Sequence, residues 1–156
     1  IAAHMGLDED TVEGIRIAGL LHDIGKIYVP SEFLTKPGFL PEEEYNVIKT
    51  HPLRGFEILK DIEFPWPVAA SVIQHHEKID GSGYPFGLEN DQIMIDAKIL
   101  CVADVVEAMG TNRPYRISPG INEALHEIVR FRGIKYDPEV VDSCCDLFRN
   151  RNFSWD

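Results

Sequence analysis

MIDAKILCVADVVEAM, residues 94–109, is apolar around nearly its whole helical circumference. A helix at a protein surface keeps one polar side, so a segment without one belongs in the middle of a helical bundle. Working outward from it, the neighbouring stretches repeat a spacing of three and four. Asp8 reads as an N-cap, followed by Val12, Ile15, Ala18, Gly19 and Leu21 along one stripe, with Gly25 as the expected stop. TKPGFLPEEEY, residues 35–45, places a Pro-Gly turn before Pro41 at a first helical position. Three glutamates then occupy the first turn, where the helix dipole favours them and water solvates them. His51-Pro52 marks a break before a helix over 56–59, and PWPVAASVIQHHE reads as a helix starting at Pro67. Ser118-Pro119 and Asp137-Pro138 are cap-then-proline starts for two more, carrying Ile121, Ala124, Leu125 and Ile128, then Val140, Val141, Cys144 and Phe148. Period-two alternation persists nowhere, and there is no internal repeat. The pattern predicts an all-α, single compact multi-helix domain.

At 156 residues the chain can enclose one hydrophobic core. No apolar run approaches the roughly 20 residues needed to cross a bilayer, and no signal peptide opens the sequence, so membrane insertion by this segment is not expected. A net charge of −11 argues against a broad surface for long nucleic acid, which needs clustered Lys and Arg. It still permits a small phosphorylated ligand where divalent cations reverse the local sign. Cys101, Cys144 and Cys145 cannot form a disulfide framework; buried reduced thiols and a cytoplasmic location are the expectation.

Against this apolar background a few polar groups stand out. His22 falls seven residues after Ile15 and three after Gly19, on the buried stripe of its helix. Asp23 follows Leu20 by three, where a carboxylate is costly unless a cation or hydrogen bonds meet it. His75 and His76 lie three and four residues after Val72, and Asp104 sits three after Cys101 inside the most apolar helix. His51 precedes a proline at a helix start. Singly, each has an ordinary explanation as a packed histidine, a cap or an ion pair. Together, His22, Asp23, His51, His75, His76 and Asp104 form a set of imidazoles and carboxylates without thiolates, which suits manganese, iron, zinc or nickel better than a structural zinc site. Six side chains exceed the needs of one tetrahedral ion, whereas two ions sharing a bridging carboxylate use them all, an arrangement suited to in-line displacement at phosphorus. His4 and His126 fall outside the set and read as surface residues.

HDIGK from His22, HP at His51, HHEKIDGSGYP from His75, AD at Asp104 and RPYR from Arg113 follow one another in an order that resembles the HD-GYP branch of the HD-domain metal-dependent phosphohydrolases. The resemblance runs from about Leu20 to Phe148. It implies a cyclic di-GMP phosphodiesterase serving as the output domain of a longer bacterial signalling protein, with an upstream regulatory domain. It implies two divalent metal ions, or three in some members, manganese or iron first among them. Asp23 would bridge two metals, His22 and Asp104 would complete one, and His51, His75 and His76 would hold the other. A water or hydroxide would attack phosphorus in line, giving pGpG or, after a second cleavage, GMP. Lys26 would contact the phosphate and help protonate the departing oxygen. Tyr84 would stack or hydrogen-bond near the substrate, and Arg113 and Arg116 would bind phosphate or stack on guanine. Gly81 and Gly83 would use positive φ to fold the DGSGYP loop beside the metals, and Glu77 either orients a ligand histidine or faces solvent.

Three departures from the family pattern carry expectations of their own. The family normally has a further histidine on a helix preceding HD; IAAHMGLDED resembles the tail of that helix, so the ligand would precede Ile1, and weaker metal binding and low activity are expected of these residues alone. Tyr28 stands where the family more often has glycine, altering the cleft entrance. Glu107 replaces a commoner aspartate, keeping the charge but changing its reach. A related cyclic dinucleotide such as a cyclic GMP-AMP, or a sensor or interaction module that binds without turnover, remain the alternative readings.

Overall fold

The computed structural model describes residues 1–111, 118–151 and 153. Among them are eight α-helices and no strand, only two isolated bridges pairing Asp80 with Glu89 and Arg132 with Tyr136. The helices are α1 (Glu9–Leu21), α2 (Ser31–Thr35), α3 (Glu42–Ile48), α4 (His51–Leu59), α5 (Val68–Gln74), α6 (Ile95–Gly110), α7 (Ile121–Arg130) and α8 (Pro138–Asn150), with 3-10 turns at Ile24–Tyr28 and Asn90–Gln92. The all-α expectation holds.

The segment of low polarity does occupy the middle. Ala97, Ile99, Leu100, Cys101, Val102 and Val106 of α6 are all buried, and α6 touches α1, α5, α7 and α8. Val72 on α5, Ala18 on α1, Val102 on α6, Ile128 on α7 and Val140 on α8 have no exposed surface, so the core runs through every layer. Fully burying a valine or isoleucine side chain contributes about 1.5–3 kcal/mol. Helix starts follow local chemistry: the Asp8 carboxylate accepts from the Thr11 amide at 3.0 Å, and Asp137 accepts from the amides of Glu139 and Val140 at 3.0 and 3.3 Å.

Several boundaries differ from the sequence reading. α1 stops at Leu21 with His22 as its C-cap, and Gly25 lies inside the following 3-10 turn. Gly25 is there because a Cβ would strike the His51 carbonyl and the Gly55 amide, so the turn can lie directly on α4. α4 begins at His51, not at residue 56: Pro52 sits in the first turn, where its missing N–H would have had no helical partner. Pro41 and Pro67 sit one residue before their helices instead of inside them. Ser118 does not cap α7, which starts at Ile121 after Gly120; its hydroxyl donates to the Met109 carbonyl at 2.6 Å and accepts from the Gly120 amide at 2.9 Å, tying the segment to the end of α6. The short helix α2 carries no periodic signal and was not expected. Cys101, Cys144 and Cys145 are buried and unpaired, and His4 and His126 are exposed, as the sequence suggests. No helix among the described residues is long and apolar enough to cross a membrane.

Candidate metal centre

Three helix ends and the middle of a fourth helix meet at one place. His22 caps α1, His51 opens α4, His75 caps α5 with His76 next to it, and Asp104 projects from the middle of α6. Helix C-termini leave backbone carbonyls without partners, and the histidines use them. His22 Nδ1 donates to the Gly19 carbonyl at 2.6 Å, His51 Nδ1 to the Ile48 carbonyl at 2.8 Å and His75 Nδ1 to the Val72 carbonyl at 2.6 Å. Each carbonyl lies three residues back. A carbonyl oxygen can only accept, so the proton of each neutral ring is on Nδ1 and the Nε2 lone pair is left for the interior.

Those lone pairs converge. His51 Nε2 and His75 Nε2 are 3.3 Å apart, Asp23 Oδ1 is 3.3 Å from His51 Nε2, and Asp23 Oδ2 is 3.4 Å from His22 Nε2. Asp104 lies between two histidines, 3.8 Å from both His22 Nε2 and His76 Nδ1. The rings of His75 and His76 have centroids 4.0 Å apart. His51, His75 and His76 form one group whose ligand atoms all lie within 4.8 Å of one another, and His22, Asp23 and His75 form a second. His75 is thus shared between the groups, and Asp104 stands between them on the outer side.

The residues fit divalent cations. Two nitrogen lone pairs facing each other at 3.3 Å repel unless a positive charge sits against them. Asp23 Oδ1 is shut off from solvent and accepts no hydrogen bond among the described residues, although Oδ2 takes the Lys26 ammonium at 2.6 Å. A buried carboxylate oxygen without a donor beside imidazoles that offer only lone pairs is a ligand set for a cation.

The electrostatics agree. Burial holds His75 down to about 3, with the neighbouring His51 and His22 adding to it, and burial likewise lowers His51 and, with His75 beside it, His76. These rings stay neutral and able to ligate across the working pH range. Burial works against ionisation of Asp23, but hydrogen bonds and charge from His22 and Lys26 outweigh it and hold the carboxyl far below the usual carboxylate range. Burial also opposes a proton on His22, which its bond to Asp23 overcomes, so this ring alone among the four is shifted upward.

The DGSGYP loop forms a wall of the centre. Tyr84 lays its ring against His76 at 4.7 Å between centroids, and burial raises its phenol. Gly81 has φ +77, as expected, but Gly83 does not have positive φ; it is glycine because a Cβ would run into the Glu77 and Lys78 backbone. Glu77 neither orients a histidine nor faces solvent. It is 2% exposed, and its two oxygens accept the amides of Phe86 at 2.7 Å and Leu88 at 3.0 Å, so it pins the far side of the loop. The acid directly after two histidines was the available signal; its partners, nine and eleven residues on, were not readable. Lys78 is likewise turned inward, against Cys101 Sγ at 2.9 Å and over the Tyr136 ring at 4.6 Å. Beside the centre, Gly19, His22, Asp23, Leu100, Ala103, Asp104 and Glu107 line a cavity of about 300 Å³. Arg113 and Arg116 lie outside the described residues.

The class is that of an all-α helical bundle with imidazoles and carboxylates gathered into a candidate metal centre. The family model described as HD domain matches residues 1–140, and the chain belongs to that family; the HDIGK, HHE and DGSGYP segments set it in the HD-GYP branch. The chain is 42% identical over 97% of its length to a cyclic di-GMP phosphodiesterase response regulator, RpfG, of Xanthomonas campestris pv. campestris, and 43% identical over 94% to a cyclic di-GMP phosphodiesterase of Thermotoga maritima. It spans 40% of the length of each. It is 38% identical over 81% of its length to 3'3'-cGAMP-specific phosphodiesterase 1 of Vibrio cholerae, covering 29% of that protein. Among solved structures, the HDG"Y"P protein Bd1817 of Bdellovibrio bacteriovorus superposes with a TM-score of 0.78 at 22% identity, over 96% of this chain and 48% of that one, which speaks for the fold.

Proposed function

We propose that this chain hydrolyses cyclic di-GMP with the help of divalent metal ions, giving pGpG and, after a second cleavage, GMP, as the output unit of a longer cytoplasmic signalling protein. The observation that carries the reading is the pair of imidazole Nε2 atoms 3.3 Å apart beside an Asp23 oxygen with no hydrogen-bond donor. His22, Asp23, His51, His75, His76 and Asp104 would hold two ions, with manganese or iron favoured by the all-nitrogen-and-oxygen set and a third as the family's variant. When bound, such ions polarise a phosphoryl oxygen and lower the proton affinity of water.

The chain's own side chains supply the remainder. Lys26 Nζ, 2.6 Å from Asp23 Oδ2, places a positive charge at the edge of the centre. It neutralises a non-bridging phosphate oxygen and delivers its proton to the departing ribose oxygen. Tyr84 rests on His76 and presents a flat face where the sugar or base of a bound nucleotide passes. Arg113 and Arg116 would add guanidinium contacts to phosphate or guanine. The similarity to proteins named cyclic di-GMP phosphodiesterases supports this substrate, and the relatives' greater length supports a further, regulatory segment in the intact protein.

The test is to load the purified protein with manganese or, without oxygen, ferrous iron, measure metal per chain, add cyclic di-GMP and separate the products. Two or more ions per chain and the appearance of pGpG or GMP are expected. Tight binding of cyclic di-GMP with no product would replace the catalytic reading by that of a sensor.

A further inference from the structure

Tyr28 departs from the family pattern and has no part in the chemistry above, yet it stands close to it. It ends the 3-10 turn Ile24–Tyr28 that begins directly after Asp23, two residues beyond Lys26, and it is 62% exposed. The turn lies on α4, where Gly25 meets the backbone of His51 and Gly55. Arg54 follows His51 by three residues on α4, so the two share a helix face about 4.5 Å apart along the axis. The Arg54 guanidinium sits over the Tyr28 ring, 5.7 Å from its centroid. Arg54 is exposed, and among the described residues it pairs with no carboxylate, whereas Arg16 and Arg132, also on the surface, are each joined to an acid. In a chain of net charge −11, an arginine held over an aromatic ring and paired with no acid has its planar fork of donors available.

We infer that Tyr28 and Arg54 form a guanine subsite at the edge of the metal centre. The inference rests on the reading of that centre as a cyclic dinucleotide hydrolase. The aromatic face stacks a purine of either kind, a contact that tolerates any base. The guanidinium fork matches the two acceptors of guanine, O6 and N7, whereas adenine presents an amino donor in place of O6 and turns the fork away. One helical turn separates Arg54 from a ligand at the phosphate-cleaving centre, which suits a base attached through its sugar to the phosphate being cleaved. Specificity for guanine over adenine therefore comes from Arg54, and stacking affinity from Tyr28.

The metal-loaded protein is assayed on cyclic di-GMP and cyclic di-AMP, with Arg54→Gln, Arg54→Lys, Tyr28→Phe and Tyr28→Gly beside the parent. Arg54→Gln and Arg54→Lys are expected to lower kcat/KM for cyclic di-GMP roughly tenfold or more while leaving cyclic di-AMP unchanged. Tyr28→Phe keeps the parent's values, and Tyr28→Gly weakens both dinucleotides by raising KM. Equal losses on both substrates in the Arg54 variants, or an unchanged ratio, would overturn the subsite while leaving the hydrolase reading intact. If the parent cleaves neither dinucleotide, the hydrolase reading has failed, and equilibrium binding of GMP against AMP tests the subsite alone: Arg54→Gln must then abolish a preference for GMP, and parent protein without such a preference refutes it.

Discussion

Two stretches of similar length separate successive candidate ligands, and they are built in opposite ways. Between Asp23 and His51 the chain forms α2 and α3, neither of which buries a single residue, with Phe39 fully exposed between them. Between His51 and His75 it forms α4 and α5, which bury Pro52, Gly55, Leu59, Val68, Ser71, Val72 and Ile73. Both stretches nevertheless deliver a histidine to the same point with the same Nδ1-to-carbonyl bond. At His51 the exposed stretch supplies the Ile48 carbonyl that holds the ring. Ligand placement therefore depends on the turn immediately before each histidine and on what packs there, and much less on the rest of the connection.

The severest way to break this comparison is at the point where both stretches converge. Replacing Asp23 by Asn removes the acid that touches His22, His51 and Lys26. Changes one layer out from a metal commonly cost about 10–100-fold in metal affinity or activity, so loss of this candidate ligand should exceed about a hundredfold, read by metal content and turnover. Next is Gly25→Ala, which drives a methyl group into the backbone of α4. Backbone cannot swing aside as a side chain can, so a loss of about 1–3 kcal/mol or more is expected in denaturant titration, with reduced metal uptake. Glu77→Gln comes third: the amide group turns a donor toward the Phe86 or Leu88 N–H, at a cost of about 1–3 kcal/mol. It should loosen Tyr84 and lower kcat/KM while metal content stays near one full complement. Smallest is Phe39→Ser in the exposed stretch, expected to leave stability within about 0.5 kcal/mol and metal content unchanged. A large loss there would show that this stretch does hold the centre.

Acid sharpens the contrast further. The folded metal-free protein keeps His75 neutral down to about 3, while the same ring in the unfolded chain takes up a proton near 6.5. Between those values the unfolded state binds more protons, so stability is fully present above about 6.5 and declines as pH falls through this window. His51 and His76 act in the same direction; His22, shifted upward, opposes them. Chemical denaturation at about pH 7 and about pH 5 should show the decline, and bound metal, which requires deprotonated ligands, should steepen it.

The sequence made the helical class and the six polar residues legible because both depend on periodicity and residue type. α6 declared itself by having no polar side, and His22, His75 and Asp104 by interrupting apolar stripes. What stayed hidden depends on contacts across the chain. Gly25 looked like a helix stop because nothing local records that α4 lies against it. Gly83 looked like a turn glycine for the same reason, its true constraint being the Glu77 backbone. The role of Glu77 required knowing where residues 86 and 88 return. Nor does the letter at position 51 disclose that the ring closes the end of one helix while opening another.

In His22, His51 and His75 the bond from Nδ1 to a carbonyl three positions earlier makes a self-contained cassette of one turn of chain. Such a unit orients its imidazole by itself, so loops joining the cassettes are free to lengthen, shorten or acquire new surfaces without disturbing the chemistry. A designer seeking to graft this centre elsewhere would need to copy three helix ends, the Asp104 face of a fourth helix and their mutual spacing, and could write the connections anew.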